Sequence, residues 1–312
     1  MDIGDTDEDR RPILLAGPTG AGKSALASAL AARLGGWVVN ADSQQVYAAW
    51  RVLSARPTAA EEAAAPHRLY GHLALGDAHS AGRWLRELAP VLAAARGAGA
   101  RPVIVGGTGL YFRAATVGLT EIPAIPASVR EALRARHAAE GLGPLADALA
   151  ARDPATARGL DLANPARVLR ALEVLEATGK GLARHQAETP PPLLPPERTV
   201  RLVIDAAPDW LNPRIDARFA AMLHEGAVEE VAAARAAGAS PDLPGMKAIG
   251  VAEIARYLDG EATLAETAAA GALATRRYAK RQRTWLRNQM PGWTRLAPGD
   301  TEGAMAAIAA RA

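Results

Sequence analysis

With 312 residues the chain has room for one large domain or two modest ones, and its 49% hydrophobic content, much of it Ala, points to helix-rich packing. The absence of cysteine excludes disulfides and Cys-ligated zinc, and a net charge of +3 is too small to identify a nucleic-acid partner by itself. The first twelve residues are polar, acidic and Arg-containing, unlike a signal peptide, and no apolar run of about 18 residues is free of charge, so a cytoplasmic protein with no membrane partner is expected.

Ile13-Leu14-Leu15-Ala16 reads as a buried strand, and Ser24 to Leu34 as a helix. Between them lies Gly17-Pro18-Thr19-Gly20-Ala21-Gly22-Lys23-Ser24, which fits the P-loop spacing of Gly, four residues, then Gly-Lys-Ser. Glycines let a phosphate chain approach the backbone, and the loop and helix N-terminus supply N–H groups. Lys23 adds a cation for the terminal phosphate, and the Ser24 hydroxyl can hold Mg²⁺. The basic residues number 36, yet only positions 23, 180, 247 and 280 are Lys. A chain that prefers Arg elsewhere keeps a compact point charge at the phosphate.

Trp37 to Ala41 reads as a second strand, giving a parallel βαβ start with ligands expected at the carboxyl ends of the strands. Asp42 follows and has three readings: a carboxylate holding Mg²⁺ through water, a general base, or a helix cap with Gln45 in the capping-box position. Ala59 to Ala65 reads as a short helix, and His67 is given no chemistry. Ser80 to Arg96 places Trp84, Leu85, Leu88, Val91 and Leu92 at helical spacing. Arg101 to Val105 is a third strand, followed by Gly106-Gly107-Thr108. That turn either admits a ligand to the backbone or simply joins strand to helix.

Composition shifts near Leu119. Ile122 to Pro126 reads as a linker, and helices are expected over Ser128 to Glu140, Gly143 to Arg152 and Pro165 to Thr178. Five prolines between Pro190 and Pro196 enforce extended chain. Residues 119–200 are therefore expected to form an all-helical insertion, with 1–118 and 201–312 as the two parts of the core. Val200 to Asp205 rejoins the sheet, and Pro213 to Arg235 reads as one long helix with Arg214 and Arg218 on a shared face, a pair that is ordinarily solvated surface. In the helix expected over Ala265 to Met290, Arg276, Lys280, Arg283 and Arg287 form one stripe. No acidic residue interrupts 276–287, which suits a phosphate backbone, the alternative being a solvated basic face. The fold class is α/β: a P-loop NTPase-like parallel sheet flanked by helices, with an all-helical insertion domain.

From about residue 12 to 296 the sequence resembles the bacterial tRNA dimethylallyltransferases. The resemblance rests on ordered matches: the P-loop, Asn40-Ala41-Asp42-Ser43 with Gln45-Val46-Tyr47, Pro66-His67, Gly106-Gly107-Thr108 with Leu110-Tyr111, Arg167 with Arg170-Ala171-Leu172-Glu173-Val174, Arg214 with Arg218 and Met222, Ala248-Ile249-Gly250, and Lys280-Arg281-Gln282 with Thr284-Trp285. It implies transfer of a dimethylallyl group from dimethylallyl diphosphate to N6 of adenosine 37 of tRNAs carrying A36-A37-A38. Gly17, Pro18, Thr19, Gly20, Ala21, Gly22, Lys23 and Ser24 would hold the diphosphate, with Mg²⁺ on Ser24. Asp42 would act as general base, and Thr19 and Arg218 would join it in catalysis. Asp42, Ser43, Gln44, Gln45 and Thr108 would meet the tRNA at the reacting base, and Arg130, Arg167, Arg170, Arg276, Lys280 and Arg283 elsewhere. A monomer is expected. The sequence departs from the family pattern at Gln44, at Arg51-Val52-Leu53-Ser54-Ala55-Arg56 and at Val251. Two readings compete with the resemblance: a kinase using the P-loop on ATP, and a non-catalytic RNA-binding module.

Overall fold

The computed structural model describes residues 10–310; the polar N-terminal stretch lies largely outside them. The elements run β1 (Ile13–Ala16), α1 (Lys23–Leu34), β2 (Gly36–Asn40), α2 (Ala59–Ala64), β3 (His67–Arg68), α3 (Ala81–Gly97), β4 (Arg101–Gly106), α4 (Gly109–Val117). There follow α5 (Ala127–Glu140), α6 (Gly143–Arg152), α7 (Pro154–Arg158), α8 (Pro165–Thr178), α9 (Leu182–Ala187) and β5 (Val200–Ile204). The chain closes with α10 (Pro208–His224), α11 (Ala227–Ala236), α12 (Val251–Leu258), α13 (Leu264–Gln289), β6 (Thr294–Leu296) and α14 (Thr301–Ala309).

Two compact units form. One runs through Thr116 and resumes at Leu193; the other is Val117–Pro192. The helical unit thus ends before the 119–200 segment does. Leu194 is buried in the core unit, and its N–H donates to Ala115 O at 2.8 Å. Within the helical unit, α5 to α8 close on Leu133, Leu145, Leu149, Val168 and Leu172. Asn164 caps α8 through its side chain, and Pro165 supplies a first-turn residue that needs no N–H partner.

In the core unit six parallel strands take the order β3-β2-β4-β1-β5-β6. Uninterrupted apolar runs in β1 and β4 are buried on both faces, as a parallel sheet between helices requires. After β1 the chain goes to β2 on one side and later to β5 on the other. This makes β1 the switch point, where open α/β sheets bind ligands. β4 lies between β1 and β2, so the segments after β1, β4 and β2 stand side by side at one sheet edge.

Four local expectations change. The long helix over 213–235 is two helices, α10 and α11, broken at Glu225-Gly226. Gly226 has φ 120°, which interrupts the helix where a Cβ would be strained. α10 also begins earlier, at Pro208, and carries Pro213 inside it. Asp42 caps no helix, because residues 43–50 turn without forming one. The strands β3 and β6 and the helices α7, α9, α12 and α14 are additional to those read from the sequence. Among the described residues, no helix is long and apolar enough to cross a membrane.

Candidate active site

The P-loop leaves β1 and enters α1 through Gly22, which caps the helix in the left-handed region at φ 83°. Lys23 folds back over the loop, its Nζ donating to Pro18 O at 2.8 Å. Burial, with a smaller contribution from the nearby Arg218, pushes the Lys23 ammonium down to about 8 against the opposing pull of Asp42. Arg218 reaches in from α10 and donates through Nη2 to Thr19 Oγ1 at 2.6 Å. Its guanidinium is also lowered by burial, with Asp42 opposing. Two cations held together away from water are a standing electrostatic cost, which a polyanion would relieve.

Asp42 sits at the end of β2 on a scaffold built by Asn40. The fully buried Asn40 side chain accepts from Asp42 N at 2.8 Å and donates to Asp42 O and Leu69 O at 3.0 Å each. The Asp42 Oδ1 accepts from Gln44 N at 3.0 Å. Its other oxygen, Oδ2, faces Gly107 in the turn after β4. That turn approaches closely: a Cβ on Gly106 would lie 2.1 Å from Ala41 O, so only glycine fits. Thr108 Oγ1 accepts from Ser43 N at 2.9 Å and locks the two loops together.

α13 reaches the same place from the far end of the chain. Gln282, buried, accepts from Thr19 N at 2.8 Å through Oε1 and donates to Gly107 O at 3.0 Å through Nε2. One amide therefore joins the P-loop to the turn after β4. One turn earlier, Tyr278 stands beside Thr108 and Gln44, its phenol pushed up by burial and by Asp42. Neither side chain was given a role by the sequence; Gln282 appeared only as a family-like letter beside Lys280-Arg281.

The resulting cleft has a polar end and an apolar wall. Thr19, Asp42 and Arg218 form the first; Leu53, Ile215, Phe219, Met222 and Ile249 form the second. An adjoining cavity of about 380 Å³ shares Gln44 and Tyr278 and adds Ser43 and Lys247. The segment 51–56, which departs from the family pattern, is held from outside: Arg51, Val52 and Leu53 all donate backbone N–H groups to the Glu230 carboxylate at 2.7–3.0 Å. Gln45 also serves this segment, donating to Ser54 O and Ala55 O at 3.0 and 2.7 Å. Gln44 turns the other way and accepts from Ile249 N at 3.1 Å.

The basic candidates divide. Lys280 and Arg287 are exposed on α13, whereas Arg283 is half-buried with its Nε enclosed. Arg276 is paired with Asp216 of α10, so an acidic partner that 276–287 lacks is supplied from a neighbouring helix. In the helical unit Arg130 and Arg170 both reach Glu173, at 4.0 and 3.3 Å, while Arg167 is exposed.

Ser24 is exposed at the first turn of α1. Among the described residues no cluster of three or more carboxylate or imidazole ligands lies at the P-loop. A Mg²⁺ that keeps waters and rides on substrate phosphate oxygens needs few protein ligands, and the residues fit such an ion.

These features coincide with a family pattern. The IPP transferase model matches residues 45–289, and a model described as isopentenyl transferase matches residues 11–74. The chain belongs to the IPP transferase family. An IPP transferase relative from Dinoroseobacter shibae, a tRNA dimethylallyltransferase, is 54% identical over 291 residues, covering 93% of this chain and 95% of its own. A tRNA isopentenylpyrophosphate transferase of known structure from Bacillus halodurans aligns with TM-score 0.68 and 31% identity over 97% of this chain and 96% of that one. A eukaryotic dimethylallyltransferase described as acting on tRNA aligns with TM-score 0.81 and 25% identity over 96% of this chain and 78% of that one. The chain is thus an IPP transferase with a P-loop-like fold, an enzyme of the transferase class.

Proposed function

We propose that the protein transfers a dimethylallyl group from dimethylallyl diphosphate to N6 of adenosine 37 of tRNA, releasing diphosphate. The observation that carries this reading is the cleft itself. Arg218 and Asp42 line it, Lys23 lies near enough to interact with both, and Leu53, Ile215, Phe219, Met222 and Ile249 supply its apolar lining. A prenyl diphosphate has that division, an anionic head and a branched C5 hydrocarbon. The substrate named for the relatives supports the same assignment.

In the reaction the allylic C1–O bond to diphosphate breaks and a C1–N6 bond forms. The P-loop N–H groups, Lys23 and Arg218 stabilise the charge that gathers on the departing oxygen, more strongly in the transition state than before it. Thr19, held by both Arg218 and Gln282, keeps that loop in register. The leaving N6 proton goes to Asp42, whose Oδ1 is anchored by Gln44 N. The C5 tail is sheltered from water by the apolar wall. Mg²⁺, bound on Ser24 with the substrate, would add Lewis-acid neutralisation of the diphosphate. The adenine leaves its stack to enter the cleft, and Ser43, Gln44 and Tyr278 line the neighbouring cavity for the bases beside it. Arg130, Arg167 and Arg170 of the helical unit and the exposed cations of α13 bind the RNA backbone.

The test is transfer of label from radiolabelled dimethylallyl diphosphate to unmodified tRNA with Mg²⁺ and without ATP. Label in the RNA is expected. Absence of label from folded protein, with ATP turnover to a phosphorylated product, would return the P-loop to a kinase.

A further inference from the structure

Apart from the P-loop, the chain brings together three side chains that the reaction does not use. His72 and His79 bracket the loop after β3, and Glu87 projects from α3. The Nε2 atoms of His72 and His79 lie 3.1 and 3.0 Å from the same oxygen, Glu87 Oε2. The three ligand-capable atoms all fall within 4.8 Å of one another. We propose that His72, His79 and Glu87 form a binding site for one divalent transition-metal ion of the zinc type.

The donor set selects the ion. Two imidazoles and one carboxylate suit Zn²⁺, Co²⁺ or Ni²⁺, whereas Mg²⁺ and Ca²⁺ prefer oxygen alone. A tetrahedral centre with bonds of about 2.0 Å spaces its ligand atoms about 3.3 Å apart. The two nitrogen-to-oxygen separations differ from that by a few tenths of an ångström, and the two nitrogens lie within 4.8 Å of each other, close enough to converge on one ion. The groups behind the ligands are those a metal site uses. Tyr111 OH meets His79 Nδ1 at 2.7 Å, and Arg83 Nε meets Glu87 Oε1 at 2.8 Å. A hydroxyl donates or accepts, so Tyr111 satisfies either tautomer and Nε2 can give up its proton to bind metal. His79 is enclosed, with 2% of its side chain exposed, while His72 at 29% leaves an open side for a water as fourth ligand. Arg83 offsets the carboxylate charge and so tempers affinity.

The ion would clip the loop from 72 to 79 to α3. Ala78 and His79 form part of the wall of the 380 Å³ cavity beside the reacting cleft. Occupancy would therefore stiffen one side of that cavity without entering the chemistry.

The experiment uses the untagged full chain, stripped with chelator and titrated with Co²⁺ in excess Mg²⁺. The site predicts one bound Co²⁺ with the intense visible absorption of low-coordinate cobalt, displaced by Zn²⁺. His72→Ala and Glu87→Gln should each weaken binding by at least about tenfold with an unchanged far-ultraviolet dichroism spectrum. Zn²⁺ should raise the melting temperature of the parent but not of His72→Ala. No Co²⁺ binding, or wild-type binding surviving in either variant, overturns the proposal.

Discussion

Replacing Gln282 by Met keeps roughly the volume of the side chain and removes both of its hydrogen bonds. Thr19 N–H then loses its acceptor at 2.8 Å and Gly107 O its donor at 3.0 Å. An orphaned buried backbone group costs about 1–3 kcal/mol, so two orphans cost about 2–6 kcal/mol before relaxation. Thr19 is only partly buried, and water reaching its N–H brings the expected loss to the lower end, about 2 kcal/mol. In a chain of 312 residues that is a melting-temperature drop of about 3 °C. The same change frees the P-loop at the residue that orients Arg218, so the KM for dimethylallyl diphosphate should rise about tenfold. The dissociation constant for tRNA should stay within about twofold, because the exposed cations of α13 are untouched. The assay pairs a thermal melt with steady-state kinetics in each substrate. An unchanged KM alongside a lowered melting temperature would reduce Gln282 to a packing role. Unchanged values of both would mean that Gln282 does not bridge the two loops in solution.

Three further outcomes follow from the same geometry. Diphosphate binding requires charged Lys23, and the free protein holds that group down to about 8, so above that pH binding must take up a proton; KM for the donor should rise about tenfold per pH unit above 8, and Lys23→Arg should flatten the rise. Asp42→Asn keeps an acceptor for Gln44 N but not a base, so single-turnover transfer should fall by about 10²–10⁴ with tRNA affinity retained; a near-normal rate would remove Asp42 from proton transfer. Lys280→Ala with Arg287→Ala should reduce the salt slope of tRNA binding by about 1.4–1.8, whereas Arg276→Ala, already paired with Asp216, should change it less; equal effects would mean that the ion pair does not hold Arg276 back.

Local patterns carried the sequence a long way. The P-loop spacing, the apolar runs of β1, β4 and β5 and the spans of α6 and α8 agree with the folded molecule because each depends on residues within a few positions of one another. The break between α10 and α11 was also local, since Gly226 stands in the sequence, but the Ala-rich run on both sides hid it. The edge strands β3 and β6, of two and three residues, are too short to show any alternation. What remained hidden is long-range. Gln282 and Thr19 are 263 positions apart, Glu230 holds a loop nearly 180 positions before it, and Asp216 neutralises Arg276 from another helix. Asp42 shows the same limit from the other side. Its spacing to Gln45 fits a capping box, yet the segment turns under Asn40 and Thr108, so tertiary bonds override the local signal.

Prenyl transfer to one atom of one base is open to test with a pair of transcripts. Unmodified tRNA carrying A36-A37-A38 and the same RNA with G at position 37 would be incubated with labelled dimethylallyl diphosphate, Mg²⁺ and no ATP, then digested to nucleosides. About one label per A37 transcript is expected, recovered as N6-dimethylallyladenosine, and none in the G37 transcript. Label that persists in the G37 RNA, or that resides on another nucleoside, would contradict transfer to that atom.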